Sequence, residues 1–319
     1  MYFLDRIKLN VIGQRNWWFT LSGALLLAGL IALGTRGLNL GIDFKGGTIL
    51  QRTFTQKVTV AQVRQALNRA SASGLKLGES QIQSAAGNTV IIRTRDLSPE
   101  EERQVDAALQ EAVGQIDLTK NQTDTVRPVI GRELTQNAFW AVVVASILML
   151  LYITLRFEFK FGVAAIVALL HDVFMIMGLF ALTGKQVDSP FVAAILTIIG
   201  YSINDTIVIF DRIRENLRFH RKVESYAQLV NDSINQTLAR SINTVGTTLV
   251  SIIALYFFGG ESIKTFTFAL LFGILSGCYS SIFIASPLWV VWKEWEERRK
   301  AARPAGAGGR KRLAEAKAR

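Results

Sequence analysis

The sequence predicts a polytopic α-helical membrane protein with six transmembrane helices. An extracytoplasmic α+β domain of βαββαβ order, the ferredoxin-like plan, lies between helices 1 and 2. Three observations carry this. Half of the 319 residues are hydrophobic, 19% are charged and mean hydropathy is +0.29, whereas an average soluble domain carries about 25% charge. Six stretches reach the roughly 20 mostly apolar residues that a ~30 Å hydrocarbon core requires. Between the first two stretches, residues 37–136 change character, with twelve basic and eleven acidic residues. Five prolines and a single cysteine, Cys278, exclude collagen and a disulfide scaffold. A net charge of +11 fits nucleic acid or a membrane surface, and the positions of the charges decide for the membrane, with no nucleic-acid partner.

Residues 1–16 form a basic, amphipathic cytoplasmic segment. The first span covers 17–36, with its apolar run at Trp17–Gly34, too long for the h-region of a cleavable signal. The external domain, 37–136, alternates strand and helix patterns. Gly47–Phe54 is β-like, and Val60–Ala70 has apolar residues at helical spacing. Gln81–Ser84 and Thr89–Thr94 flank the hairpin signal Gly87-Asn88. Ser98-Pro99-Glu100-Glu101 opens the next helix with an N-cap, a first-turn proline and acids facing the positive helix end. Thr123–Val129 is extended and returns to the membrane.

Spans two to six follow at Asn137–Leu155, Phe161–Leu182, Ser189–Phe210, Leu238–Phe258 and Phe266–Trp292. Trp17, Trp18, Trp140, Tyr256, Trp289 and Trp292 sit at their ends, where an aromatic belt belongs. The competing reading, buried helices of a large soluble protein, fails on six such stretches in one short chain. Orientation follows from Lys and Arg. Arg6, Lys8 and Arg15 precede the first span, and Arg156 and Lys160 follow the second. Arg212, Arg214, Arg218, Arg221 and Lys222 follow the fourth, and the basic cytoplasmic tail 293–319, flexible from Arg303, has ten basic residues against four acidic. The opposite short loops balance Lys185 with Asp188 and Glu261 with Lys264. Both termini are therefore expected in the cytoplasm.

No Walker loop, HExxH, CxxC or GxSxG occurs, and the histidines are His171 and His220. This points to no enzyme, with neither catalytic, metal nor cofactor residues. The informative residues are ionisable groups inside the spans, which usually line a pathway or pair with one another. Asp205 shares a helix face with Thr197 and Tyr201, and Asn204 is its neighbour. Arg240 opens the fifth span, in a polar stripe with Thr244, Thr247 and Ser251, and Asn243 stands beside it. Two stripes at matching depth are expected to meet inside the bundle. They form either a static ion pair or a carboxylate that loads and releases a proton beside a guanidinium. His171-Asp172 in the third span divides evenly between a relay and a carboxylate satisfied by Ser and Thr. Gly273, Gly277 and Ser281 in the sixth span repeat every four residues, as close helix packing requires.

These residues also carry a resemblance. Gly41-Ile42-Asp43-Phe44-Lys45-Gly46-Gly47-Thr48 after the first span resembles the opening motif of the SecF-type subunits of the SecD/SecF family. So does Gly200-Tyr201-Ser202-Ile203-Asn204-Asp205-Thr206 running into Phe210-Asp211-Arg212-Ile213-Arg214-Glu215-Asn216. Gln236-Thr237-Leu238-Ala239-Arg240-Ser241 with Gly246-Thr247-Thr248, and Phe258-Gly259-Gly260, are similar as well. The likeness covers nearly the whole chain up to Trp292. It implies a subunit of a bacterial inner (plasma) membrane, with an internal membrane such as a thylakoid as the alternative. Its partners would be a SecD-like subunit, the SecYEG channel, the SecA motor, the translocating polypeptide and the lipid bilayer. Together with SecD it would form a pseudo-symmetric transporter of the resistance–nodulation–division type, whose external domain moves as protons pass. The family's proton-path carboxylate and arginine fall on Asp205 and Arg240. The alternative is half of a proton-coupled small-molecule or lipid exporter of the same superfamily, for which the external domain is small. A purely structural scaffold would leave the polarity of Asp205 and Arg240 without a use.

Overall fold

The computed structural model describes residues 9–72, 75, 77–78, 80–85, 87–126, 128–219 and 225–301. Arg6, Lys8, His220, Arg221, Lys222 and the tail from 302 lie outside the described residues. Helix α1 (Arg15–Arg36) ends where Gly37 turns to φ 68°, a conformation costly for any residue with a Cβ. The chain then forms a two-residue strand β1 (Asn39–Leu40), a single helical turn α2 (Ile42–Lys45) and strand β2 (Gly47–Thr53). Next come α3 (Val60–Ala72), β3 (Gln81–Ala85), β4 (Thr89–Thr94), α4 (Pro99–Ala112) and β5 (Gln122–Val126). The membrane part has α5 (Pro128–Arg156), α6 (Phe159–Thr183), strand β6 (Gln186–Val187), α7 (Ser189–Phe219) and α8 (Tyr226–Phe258). It closes with α9 (Glu261–Ser280), a π-helical stretch Ser281–Ala285 and α10 (Ser286–Ala301). Among the described residues, six helical segments are long and apolar enough to cross a membrane, α9 and α10 counting as one.

Strands β2 to β5 make one antiparallel sheet in the order β3–β4–β2–β5. Gly87 (φ 72°) and Asn88 (φ 60°) both take positive φ in the β3–β4 connection, where Ala85 pairs with Thr89. Leu50, Val90 and Ile92 alternate inward from the sheet and meet Val63 and Leu67 of α3 with Val105 and Leu109 of α4. At the start of α4, Ser98 Oγ accepts from the Glu101 amide (3.3 Å) and Glu101 Oε2 accepts from the Ser98 amide (2.9 Å), a complete capping box. Hydrogen bonds from Arg95 and from that amide hold Glu101 at about 2. Its folded value lies below the ordinary 4.5, so its contribution to the domain is present above that pH and is lost as pH falls towards 2. Arg52, 1% exposed, ties sheet to helix. Its Nε donates to Asp106 (2.6 Å), Nη2 to Glu102 (2.7 Å) and Nη1 to the Gln122 carbonyl (2.9 Å).

In the bundle, α6, α7 and α9 are the inner helices, with α1, α5 and α8 outside them. Gly29 of α1 and Gly178 of α6 touch backbone to backbone, since a Cβ on Gly178 would stand 2.7 Å from the Gly29 Cα. Gly273 and Gly277 let α9 close on α7: a Cβ on Gly273 would run into the Ile198 side chain, and one on Gly277 would stand 3.0 Å from the Ser202 Cβ. The spacing read from the sequence is therefore a packing stripe. At the end carrying Arg15, Asn231 and Asn235 of α8 hold residues 9–12 through backbone hydrogen bonds of 2.8–3.1 Å. Arg15–Glu294 (3.0 Å), Lys293–Glu158 (2.9 Å) and Lys160–Glu296 staple α10 there.

The structure differs from the sequence expectations at the helix ends. Helix α7 runs nine residues past Phe210, α8 begins twelve before Leu238, α5 starts at Pro128 and α10 reaches Ala301. Hydropathy measures the hydrocarbon thickness, while Arg, Glu and Gln continue a helix into water without penalty. For the same reason the extended stretch expected to Val129 stops at Val126, and Pro128 takes the first helical position it favours. Trp289 is not a belt residue: it is fully buried and stacks on Phe161 at 4.8 Å. The π stretch has a local cause in Pro287, which has no N–H for the carbonyl four residues back and whose ring crowds it. Within that stretch the Ser286 hydroxyl donates to the Ser281 carbonyl (3.0 Å).

Candidate functional site

The Gly41–Gly47 motif is docked on the loop between α6 and α7. Strand β1 pairs in parallel with β6, Asn39 opposite Gln186, and the Gly41 amide donates to the Val187 carbonyl at 2.7 Å. A Cβ on Gly41 would stand 3.0 Å from that carbonyl, and one on Gly47 (φ 151°) would stand 2.3 Å from the Thr94 carbonyl. Gly46 turns at φ 79° and Lys45 closes α2. Asp43 Oδ2 accepts from the Ser189 amide at 2.8 Å, and Asp188 Oδ1 accepts from the Phe191 amide at 3.0 Å. Two carboxylates thus cap the positive end of α7. Burial pushes Asp188 above the ordinary carboxylate range; the Phe191 amide opposes this and the Asp43 charge adds to it. Sequence reasoning missed this cap, although Asp188-Ser189-Pro190 has the cap-then-proline signature of a helix start.

About four turns further along α7, Asp205 Oδ1 accepts from the Ser241 hydroxyl of α8 at 2.6 Å. Its Oδ2 is buried without a partner, and the Cys278 thiol of α9 stands beside the carboxylate. Arg240 does not meet Asp205: among the described residues it makes no ion pair or hydrogen bond, and its side chain is exposed. The reason is helical phase. Adjacent residues differ by about 100° around a helix, so turning the buried Ser241 to α7 turns Arg240 outward. The two polar stripes therefore do not close on each other inside the chain. Asn243, Thr244, Thr247 and Ser251 of α8, with Asn204 and Tyr201 of α7, are all exposed. They leave an uncovered polar face at span depth.

His171 and Asp172 of α6 face α7 at Ser202, one turn before Asp205, with Cys278 of α9 acted on by both carboxylates. Asp172 is 1% exposed and accepts three hydrogen bonds, from Ser202 (2.6 Å), Ser276 (2.8 Å) and Ser280 (2.7 Å), and its Oδ1 stands 3.1 Å from His171 Nδ1. Ser276 and Ser280 face it because Gly273 and Gly277 let α9 close on α7. The site therefore joins α6, α7 and α9 through one carboxylate, and α7 and α8 through another.

The C-terminal family profile of the protein export membrane proteins SecD/SecF matches residues 104–295, and the SecD/SecF GG motif matches 31–58. A protein translocase subunit SecF of Alicyclobacillus acidocaldarius is 43% identical over 90% of this chain and 93% of its own length. The protein translocase subunit SecDF of Bacillus subtilis is 39% identical over 92% of this chain, which spans 40% of that longer protein. Among solved structures, the translocon-associated SecDF of Thermus thermophilus superposes with a TM-score of 0.80 at 37% identity, over 92% of this chain and 40% of that one. The GG-motif match takes in the docked Gly46-Gly47 turn, and the C-terminal match runs from within α4 into α10. On these grounds the chain belongs to the SecD/SecF family of protein export membrane proteins.

Proposed function

We propose that this Sec protein-export subunit pairs with a SecD-like partner and uses the proton gradient to assist polypeptide movement through SecYEG and SecA. Asp205 carries the proton, Arg240 supplies the countercharge, and Tyr201, Asn204, Asn243, Thr244 and Thr247 line the route. The observation that carries this reading is a carboxylate with one oxygen buried and met by no oxygen or nitrogen donor, only the Cys278 thiol standing beside the group, next to a polar face that the chain itself leaves uncovered. One proton moving down 100 mV releases about 2.3 kcal/mol, which biases a two-state element roughly 50-fold. That is enough to rectify a sliding chain without ATP. Residues 37–136 form an extracytoplasmic, ferredoxin-like domain in this reading, and both termini are cytoplasmic in a bacterial inner membrane.

The test is reconstitution with the SecD-like partner and a record of proton current with and without a translocating polypeptide. Current that rises with the moving polypeptide is the expected result; current that responds only to a small-molecule cargo would reinstate the exporter reading, and none at all would leave a scaffold. Topology has its own check. In a Cys278→Ser background, cysteines at Asn88 and Asp232 are expected to label from opposite sides of the membrane, and labelling from one side would overturn the orientation. Asp232 is the better inner probe because Asn231 is engaged by the Ile12 amide. The uncovered α7–α8 face further predicts co-purification with the SecD-like subunit in mild detergent, and a stable, active homomer would contradict it.

A further inference from the structure

We propose that His171 is a second proton-binding site of the bundle, held ready by Asp172 and separate from Asp205, an inference that rests on the proton-driven reading above. The three serine hydroxyls around Asp172 donate to its two oxygens at 2.6–2.8 Å, and the remaining approach to Oδ1 comes from His171 Nδ1. A ring whose Nδ1–H donates to a carboxylate has, while neutral, a bare lone pair on Nε2. That Nε2 is buried and unpartnered, on a residue 6% exposed.

The surroundings leave this atom free to take a proton. The nearest aromatic is Tyr279, with ring centroids 6.1 Å apart, but its hydroxyl is already engaged by Ser22 Oγ at 2.8 Å and donates to the Trp18 carbonyl at 3.3 Å. The titratable groups against the ring are Asp172 on its own helix and Tyr279 on α9; beyond them come Cys278 on α9, which feels both Asp172 and Asp205, and Asp205 itself on α7. Helix α1 contributes Ser22 and Trp18, neither charged. A proton arriving at Nε2 forms one N–H bond, and the imidazolium charge is met by the Asp172 carboxylate beside it. Its departure restores the neutral ring, and no other bond changes. An idle structural histidine would place its second nitrogen against a fixed partner.

The chain has two histidines, so His220→Gln leaves His171 as the sole imidazole reporter. The full chain, labelled with nitrogen-15 histidine and reconstituted with its unlabelled SecD-like partner in lipid vesicles, is followed by ring-nitrogen NMR across pH. At high pH the Nδ1–H form is expected to dominate the Nε2–H form by about tenfold, the weight of one charge-assisted hydrogen bond. As pH falls, both nitrogens become protonated. In Asp172→Asn the preference for Nδ1–H is lost. A neutral ring protonated at Nε2, or a ring that stays neutral wherever the complex remains assembled, would overturn the proposal. The readout does not pass through export: Asp205→Asn retaining full stimulation while His171 still titrates would sink the Asp205 route and leave this site standing.

Discussion

Asp205→Asn is expected to assemble with its partner yet lose the proton-driven stimulation of export. The amide keeps the size of the carboxylate and can still accept from Ser241, which now stands 2.6 Å from Oδ1. It cannot ionise. Because Oδ2 is buried without a partner, the new NH2 group there has no acceptor, a defect of about 1–3 kcal/mol. Some complex is therefore lost, and stimulation has to be expressed per folded complex. On that scale the roughly 50-fold bias that one proton gives should disappear.

Arg240→Met should lose the same stimulation by another route. It removes the cation nearest a carboxylate that has one hydroxyl partner, and a bare charge is what a low-dielectric bundle disfavours. Arg240→Lys should be partly active, because an ammonium keeps the charge but not the planar fork. The double variant Asp205→Asn with Arg240→Met separates a proton carrier from a structural pair. A buried static pair loses folding when one partner goes and recovers it when both go. Here the two side chains do not touch, so the double variant is expected to stay inactive. An active double variant would show that no proton passes through this pair.

The sequence and the structure agree where the signal is local. Gly87-Asn88 dictates the hairpin because few other dipeptides take positive φ twice, and Ser98 with Glu101 dictates a helix start because each serves the other's amide. Gly273, Gly277 and Ser281 were legible as packing because their spacing is the pitch of a helix. Hydropathy located the apolar centre of every span but not its ends, since Arg212, Arg214 and Arg218 extend α7 as readily as they would a loop. The phase of one helix against another was not legible. Nothing in the order Arg240-Ser241 says which of them faces α7, so the expected stripe-to-stripe contact came out with Ser241 inside and Arg240 outside. Asp172 shows the same limit. Its partners Ser202, Ser276 and Ser280 lie 30 to 108 residues away, and only the fold brings them to one carboxylate.

The largest effect on assembly is expected at Gly178, where the bundle allows no side chain. A Cβ there would stand 2.7 Å from the Gly29 Cα and 3.3 Å from its carbonyl carbon, both backbone atoms that no rotamer change can move aside. Gly178→Ala must therefore push α1 away from α6, at about 1–3 kcal/mol for the overpacked contact, and Gly178→Leu by more. The displacement does not stay local. Helix α1 leads into Asn39–Lys45, where β1 pairs with β6 and Asp43 caps α7, so a shifted α1 also loosens the start of the helix that carries Asp205. Thermal unfolding of the purified complex should show Gly178→Ala less stable than the parent, with reduced yield. Gly23 is the control: it lies on the same helix as Gly29, and a Cβ on it would meet nothing within 4 Å. Gly23→Ala should be neutral or slightly stabilising, because alanine gives up less backbone entropy than glycine in a helix. Equal stability of Gly178→Ala and Gly23→Ala would refute the close crossing of α1 and α6.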